Sequence, residues 1–245
     1  MNVNGPDSSN PRHATLVVIL RRPQPGIGKQ RIAADIGADL TFELAECLLA
    51  TTLEDADAWP GPVVLSPESA TDAVWARDLL ARPSEVIPQP AGNLGQRING
   101  VDGLARAAGH THLIYIGSDA PVLNRDYYGR VPAALTAYDV VLGPADDGGV
   151  TLMGSRATWP SLGNLPWSSH ELGNALELAC RECGLTVYRL DSLYDVDLAT
   201  DLPRLCEDLA MDHRPARKKL RAWLIDAKLN SPEMVAQRGT GTGTR

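Results

Sequence analysis

The chain has 245 residues, of which 44% are hydrophobic and 22% charged, and this composition excludes a disordered protein. The formal net charge of −7 argues against nucleic acid as a partner, because phosphate backbones are bound through a surplus of Lys and Arg. No apolar run approaches the roughly 20 residues that cross a bilayer, and residues 1–12 lack an apolar signal core. We therefore expect a cytoplasmic protein without a membrane span.

The first half of the chain alternates between strand and helix patterns. Residues 1–12, rich in Asn, Gly, Pro and Ser, are predicted to be a flexible leader. The β-branched and aliphatic run over 14–20 is typical of a buried strand in a parallel sheet. The further predictions are helices over 39–57, 70–80 and 94–108, and strands over 62–66, 85–89 and 111–117.

The alternation continues more loosely in the second half. Pro132 should break or shorten a helical pattern over 127–137, and Ser168 or Ser169 is a candidate N-cap for a helix over 171–183. Strands are predicted over 138–142, 149–154 and 185–190, with a last helix over 200–210. Strands that alternate with helices indicate a single α/β domain over 13–210, built on a Rossmann-like, doubly wound and mostly parallel sheet.

The C-terminal part differs in character. An amphipathic helix is predicted over 211–230, docked on the domain or at a subunit contact of a homo-oligomer. A basic helix lying on a membrane surface is the alternative. Residues 231–245, with their Gly-Thr repeats, are predicted to be disordered. The apolar face of the helix contains Leu220, Trp223, Leu224 and Ala227, and the opposite, basic face contains Arg217, Lys218, Lys219 and Arg221.

Polar clusters follow several predicted strands, at the edge where open α/β sheets bind ligands. In the first cluster, Gly26 lets the backbone approach a ligand, and Lys29 and Arg31 bring positive charge to a helix start, which suits a diphosphate. Gln30 stands where a Walker A loop has Ser or Thr, so this loop is not a Walker A motif. It is also not a G-x-G-x-x-G dinucleotide fingerprint. A solvated turn is the alternative interpretation.

Two acids after strands form the second candidate feature. Asp119 and Asp197 could together hold Mg²⁺ or Mn²⁺, which takes one or two protein carboxylates and completes its shell with phosphate oxygens and water. The alternative is that each caps a helix. Asp147, on a turn with Gly148 and Gly149, is a candidate general base for an attacking hydroxyl, with a solvated loop as the alternative.

Taken in order, these motifs resemble a bacterial family. They are similar, over residues 14–209, to the glycosyltransferase A-like family, also called radical-SAM/selenodomain-associated transferase 1, of the nucleotide-diphospho-sugar transferase superfamily. The motifs are Pro25-Gly26-x-x-Lys29-x-Arg31, Gly92-x-Leu94-Gly95-x-Arg97, Gly117-Ser118-Asp119-x-Pro121, Asp139-Val140-Val141-Leu142-Gly143-Pro144-Ala145-x-Asp147-Gly148-Gly149, Trp167-Ser168 and Asp195-Val196-Asp197-x-x-x-Asp201-Leu202.

The resemblance implies the nucleotide-diphospho-sugar transferase (GT-A) fold, shared more distantly with molybdenum-cofactor guanylyltransferase and 2-phospholactate guanylyltransferase. It implies Asp119 as the principal ligand of Mg²⁺ or Mn²⁺ and Asp197 as the second. The nucleotide and its phosphates would be bound by Pro25, Gly26, Lys29, Arg31, Gly92, Leu94, Gly95 and Arg97, and the acceptor by Asp147, Gly148, Gly149, Trp167 and Ser168.

The sequence departs from the family pattern at two motifs. Gln30 and Ile32 replace the Thr and Leu that are common in the first motif, and Val150 replaces the aromatic residue that usually follows Asp-Gly-Gly. The leading hypothesis is a metal-dependent transferase that passes a glycosyl group from a nucleotide-diphosphate-sugar to an acceptor hydroxyl. The alternatives are a nucleotidyltransferase that releases pyrophosphate and a degenerate nucleotide-binding module.

Overall fold

The computed structural model describes residues 14–239, which divide into two compact units. Within the described residues, the first unit comprises 14–21, 56–117 and 123–194, and the second comprises 22–55, 118–122 and 195–239. The predicted leader, residues 1–12, and residues 240–245 of the predicted tail lie outside the described range. The single-domain division predicted from the sequence stays a prediction.

The first unit contains a seven-stranded sheet, counted over the residues that the structure describes. Its strand order is β3-β2-β1-β4-β6-β5-β7, and β6 alone in this sheet runs antiparallel to its neighbours, β4 and β5. The predicted α/β fold with a mostly parallel sheet is therefore confirmed. The strands are β1 (Thr15–Leu20), β2 (Val63–Pro67), β3 (Glu85–Val86), β4 (Leu113–Ile116), β5 (Val140–Pro144), β6 (Val150–Ser155) and β7 (Val187–Arg189).

Helices flank the sheet in the first unit and make up most of the second. The first unit contains α3 (Ala73–Arg77), α4 (Leu94–Ala107), α5 (Arg125–Ala134) and α6 (Leu172–Glu182), with a 3-10 turn over Ala70–Asp72. The second contains α1 (Gln30–Ile36), most of α2 (Ala38–Ala58), α7 (Asp201–Asp208), α8 (Pro215–Asp226) and α9 (Pro232–Gly239), with a 3-10 turn over Leu209–Met211. No helix within 14–239 is both long and apolar enough to span a bilayer.

Each unit has its own hydrophobic core. In the first, alternate residues of the strands, such as Val17, Val64 and Leu142, pack with α4 and α6. In the second, Ile32 of α1 and Leu44 of α2 pack in one cluster with residues of α7, α8 and α9. The cores account for the strands and helices, because apolar residues spaced by two lie on one face of a strand and those spaced by about 3.6 lie on one face of a helix.

The C-terminal region corrects two predictions. The predicted amphipathic helix is α8, and its Leu220 and Leu224 are buried, but Arg217, expected on the solvated face, is wholly buried as well. A helix, α9, stands in the segment expected to be disordered, because Val235 is buried in the core of the second unit. The hydrophobic core of the second unit therefore includes a helix that follows the last segment whose apolar spacing predicted one.

Two predicted helix boundaries also shift. Pro132 lies inside α5, which ends two residues later at Ala134 rather than continuing to residue 137. Helix α6 begins at Leu172 with Glu171 as its N-cap residue, so neither predicted serine occupies that position. Ser169 instead accepts a hydrogen bond from the backbone N–H of Glu171, in the turn before the helix.

Candidate functional site

Three carboxylates come together in the second unit. Oxygens of Asp119, Asp195 and Asp197, one from each, lie within 4.8 Å of one another. Val196, between two of these acids, is wholly buried, and its backbone N–H donates to the carbonyl of Asp119 over 2.8 Å. The position of the acidic cluster is thus fixed by the burial of Val196 and by a backbone hydrogen bond between distant parts of the chain.

Neither acid that the sequence singled out caps a helix. The N-cap residue of α7 is Thr200, and the carboxylate of Asp201 accepts from the backbone N–H groups of Asp197 (3.0 Å) and Leu198 (2.7 Å). Asp119 lies in an irregular segment, with no helix starting beside it. The capping alternative is therefore wrong for both, and Asp201 is the residue that orders the turn beneath the cluster.

Lys29 extends its ammonium group into the acidic cluster. Its Nζ lies 3.7 Å from Oδ2 of Asp119 and 3.6 Å from Oδ1 of Asp197, and it donates to the carbonyl of Val196 over 2.6 Å. The backbone of Lys29, with φ 44°, is left-handed just before α1, a conformation that costs a non-glycine residue about 1–2 kcal/mol. Such strain is typical of functional sites, where the surroundings hold a residue in place.

The oxygen donors of the cluster suit a divalent cation. Three carboxylates supply these oxygens, and Lys29 lies beside two of them. The side chains of Asp119 and Asp197 are 40% and 44% exposed, which leaves oxygen atoms accessible from solvent. Hard carboxylate oxygens with open positions suit Mg²⁺ or Mn²⁺, which also take phosphate oxygens and water. The residues present therefore fit such an ion.

The loop before α1 is shaped by internal hydrogen bonds. The backbone N–H of Ile27 donates to the carbonyl of Gln24, and the side-chain amide of Gln30 donates to the carbonyl of Gly26 over 2.9 Å. Gln30, a departure from the resembled family, thus stabilises the loop that delivers Lys29. Pro25 is exposed in this loop, and Arg31 is exposed on the first turn of α1.

The second glycine-bearing loop, 92–97, lies in the first unit and begins α4. Asn93 and Gln96 form a capping box at the start of this helix. Gly95 is buried, and a Cβ there would lie 2.1 Å from the carbonyl oxygen of Leu162, so its lack of a side chain is required by packing. Leu94 is 41% exposed. Gly95 thus has a structural role, in addition to any contact with a ligand.

Arg97 is held by Glu68, an acid that it shares with Arg21. It donates to the carbonyl of Gly92 and to Glu68, each over 2.7 Å, and Glu68 also pairs with Arg21. The hydrogen bond from Arg21, together with that from Arg97, lowers the pKa of Glu68 to about 2, although burial opposes the shift. Glu68 therefore stays ionised at neutral pH and aligns both guanidinium groups.

The predicted acceptor residues lie in the first unit as well. The carboxylate of Asp147 is exposed and accepts from the backbone N–H of Gly149 over 2.8 Å. Gly148 has φ 90° and packs against the backbone of His170, where a Cβ would clash. Trp167 is half-buried and donates its indole N–H to Leu162, and Ser168 is exposed with φ 63°.

The structure thus brings together Lys29, Asp119 and Asp197 in the second unit, whereas the 92–97 loop and the 147–149 turn belong to the first. Sequence reasoning missed Asp195 as a third acid of the cluster. The signal was present in Asp195-Val196-Asp197, since two acids that flank a residue of the core tend to point the same way, away from it.

A bacterial protein family matches the middle part of the chain. A family model described as "Uncharacterized protein conserved in bacteria (DUF2064)" matches residues 49–169, a range that includes Asp119 and Asp147 but not Lys29, Asp195 or Asp197. No protein of curated function matches the sequence. The resemblance to the radical-SAM-associated transferases stays a prediction.

Among the solved structures that are similar to this chain, two illustrate the likeness over most of its length. A candidate nucleotide-diphospho-sugar transferase from Desulfovibrio desulfuricans G20 is 21% identical, with a TM-score of 0.79, over 91% of this chain and 97% of that one. A cytidylyltransferase from Leptospira borgpetersenii serovar Hardjo-bovis is 10% identical, with a TM-score of 0.50, over the same two shares. This chain therefore shares its α/β fold with that candidate nucleotide-diphospho-sugar transferase.

Proposed function

We propose that the chain is a divalent-metal-dependent glycosyltransferase, which takes a sugar from a nucleotide-diphosphate donor and passes it to an acceptor hydroxyl. The observation that carries the proposal is the cluster of Asp119, Asp195 and Asp197 with Lys29 beside it. The fold shared with a candidate nucleotide-diphospho-sugar transferase supports the same donor class. A cytoplasmic location and a homo-oligomeric state stay predictions.

The three carboxylates would hold Mg²⁺ or Mn²⁺, with Asp119 as the principal ligand and Asp197 as the second. When bound, the ion would neutralise negative charge on the diphosphate leaving group. Asp195 adds a third oxygen donor of the same hard type, and Asp201 stabilises the turn that carries Asp197.

Lys29 and Arg31 would supply the protein's own positive charge to the phosphates. Lys29 already lies beside the acidic cluster, so its ammonium group is fixed before a donor arrives and loses little entropy on binding. Arg31 is exposed on the first turn of α1, where its planar guanidinium can bind two phosphate oxygens. The glycine at position 26 leaves the loop backbone open to the same group.

On the acceptor side, Asp147 is proposed as the general base. Its exposed carboxylate is oriented by the Gly149 N–H, and it would take the proton from the acceptor hydroxyl. The hydroxyl oxygen would then bond to the anomeric carbon, while the bond from that carbon to the diphosphate breaks and the nucleoside diphosphate leaves. The 92–97 loop is proposed to lie near the base of the nucleotide, and Trp167 and Ser168 near the acceptor.

The test is the release of nucleoside diphosphate from a panel of nucleotide-sugars in the presence of Mn²⁺, with water as the default acceptor. We expect slow metal-dependent release by the natural chain and at least a hundredfold less by Asp119→Asn. Asp39→Asn, which removes an exposed acid outside the cluster, is the matched control and should retain the activity.

Other products would contradict the proposal in distinguishable ways. Release of pyrophosphate from a nucleoside triphosphate would assign a nucleotidyltransferase instead. Nucleotide binding that raises the melting temperature, without turnover of any donor, would assign a binding module. Full release by Asp119→Asn would remove the acidic cluster from the reaction.

A further inference from the structure

Asp119 stands in a short segment, 118–122, that has no helix or strand of its own. Its position therefore depends on the bonds that hold its backbone. One is the hydrogen bond from Val196 to the Asp119 carbonyl. A second acts two residues further on, where the carbonyl of Pro121 accepts from Nε of Arg217 over 3.2 Å.

Arg217 is the most unusual side chain of the second unit, because a whole guanidinium group is buried there. It lies in the first turn of α8, and its exposed fraction is 0%. A buried guanidinium is tolerated only when its charge is paired and its N–H groups are used. The guanidinium nitrogens meet Asp55 at 2.6 Å, Glu54 at 3.1 Å and the carbonyl of Thr51, all on α2.

The geometry points to Arg217 as a positioning residue of the metal site. Through one planar group it joins α8, α2 and the segment that carries Asp119, and so holds that carboxylate where it meets Asp195 and Asp197. This inference rests on the proposed function, since it concerns the same acidic cluster. Arg217 lies outside the residues matched by the family description, 49–169.

A packing role alone would not require this residue. The neighbouring buried positions of α8, Leu220 and Leu224, fill the core with apolar side chains. The side chain at this position must donate a hydrogen bond to the Pro121 carbonyl and also keep its positive charge paired with Asp55. Arginine does both because its donors point in several directions from one rigid plane, whereas the lysine ammonium is a single point of charge.

The chain offers a matched control in Arg214. This residue also donates to Asp55, over 2.7 Å, and to Asp212, over 2.6 Å. Arg217→Lys and Arg214→Lys therefore both weaken a guanidinium bond to the same acid. Arg217→Lys also removes the hydrogen bond from Nε to the Pro121 carbonyl.

The experiment is Mn²⁺ binding to the full chain, followed by electron paramagnetic resonance at a temperature where circular dichroism shows each variant folded. We expect the dissociation constant to rise about tenfold in Arg217→Lys, the lower end of effects seen for residues that support metal ligands, and to stay unchanged in Arg214→Lys. Natural affinity in Arg217→Lys, or an equal loss in both variants, would overturn the inference.

Hydrogen exchange of the natural chain tests the same coupling without a substitution. If Arg217 links the segment to α8, added Mn²⁺ should slow exchange over both 118–122 and 215–221, and Asp119→Asn should abolish both effects. Protection around the three acids with none in α8 would overturn the inference and leave the metal site intact. No Mn²⁺ binding by the natural chain would instead defeat the proposed function.

Discussion

Replacing Arg217 by methionine should destabilise the second unit strongly. The substitution keeps an apolar stem of similar length but removes a wholly buried charge. Asp55, whose side chain is 7% exposed, then keeps only its remaining partners, and the carbonyls of Thr51 and Pro121 lose a donor. Removing one partner of a buried ion pair typically costs about 3–5 kcal/mol, because the other charge stays buried.

That loss is large against the total stability of an ordinary domain, about 5–15 kcal/mol. For a chain of this size it corresponds to a fall in melting temperature of roughly 6–20 °C. Urea denaturation followed by far-UV circular dichroism measures it directly. A loss of less than about 1 kcal/mol would refute the reasoning, because it would mean that the buried charge is not compensated by its partners.

A second substitution separates charge burial from packing. Adding Asp55→Asn to Arg217→Met removes a carboxylate that has already lost one guanidinium partner, so the double variant should lose less stability than the sum of the two single variants. In the natural background, Asp55→Asn alone should destabilise, since it leaves Arg217 with less negative charge nearby. If the double variant is simply the sum of the two singles, the two residues do not interact as the structure indicates.

Three further predictions concern other parts of the chain. The pKa of Glu68 is lowered from 4.5 to about 2, so its ion pairs stabilise the fold fully above about pH 4.5 and lose this effect as the pH falls through about 2. The difference in unfolding free energy between the natural chain and Glu68→Gln should therefore disappear over that pH range. Gly95→Ala should cost about 1–3 kcal/mol in urea denaturation, because its Cβ would meet the carbonyl of Leu162, and Gly103→Ala, with open space, is the control. Lys29→Met should tighten Mn²⁺ binding several-fold in titration calorimetry, since an ammonium near two of the carboxylates is removed, and yet slow donor turnover.

Much of the fold was predictable because apolar periodicity records burial. The β-branched runs gave the central strands, and the rule that ligands bind beyond the carboxyl ends of parallel strands selected Asp119 and Asp197. The antiparallel direction of β6 was not predictable from its residues, because an apolar strand buried on both faces reads the same in either direction.

Two features of the second unit were not predictable because they depend on pairing between residues far apart in sequence. Arg217 has the charge of a solvated residue, and its burial depends on Asp55, 162 residues earlier in the chain. The contacts of Lys29 with Asp119 and Asp197, which are far from it in sequence, were likewise not predicted. Patterns within one helix or loop carry no information about such partners.

The central claim is that Asp119, Asp195 and Asp197 hold one divalent cation. Titration of the full chain with Mn²⁺, followed by electron paramagnetic resonance, tests it most directly. We predict one ion per chain, bound at least tenfold more weakly by Asp195→Asn as well as by Asp119→Asn, and with natural affinity by Asp39→Asn. Equal Mn²⁺ affinity in the natural chain and in both cluster variants would contradict the claim.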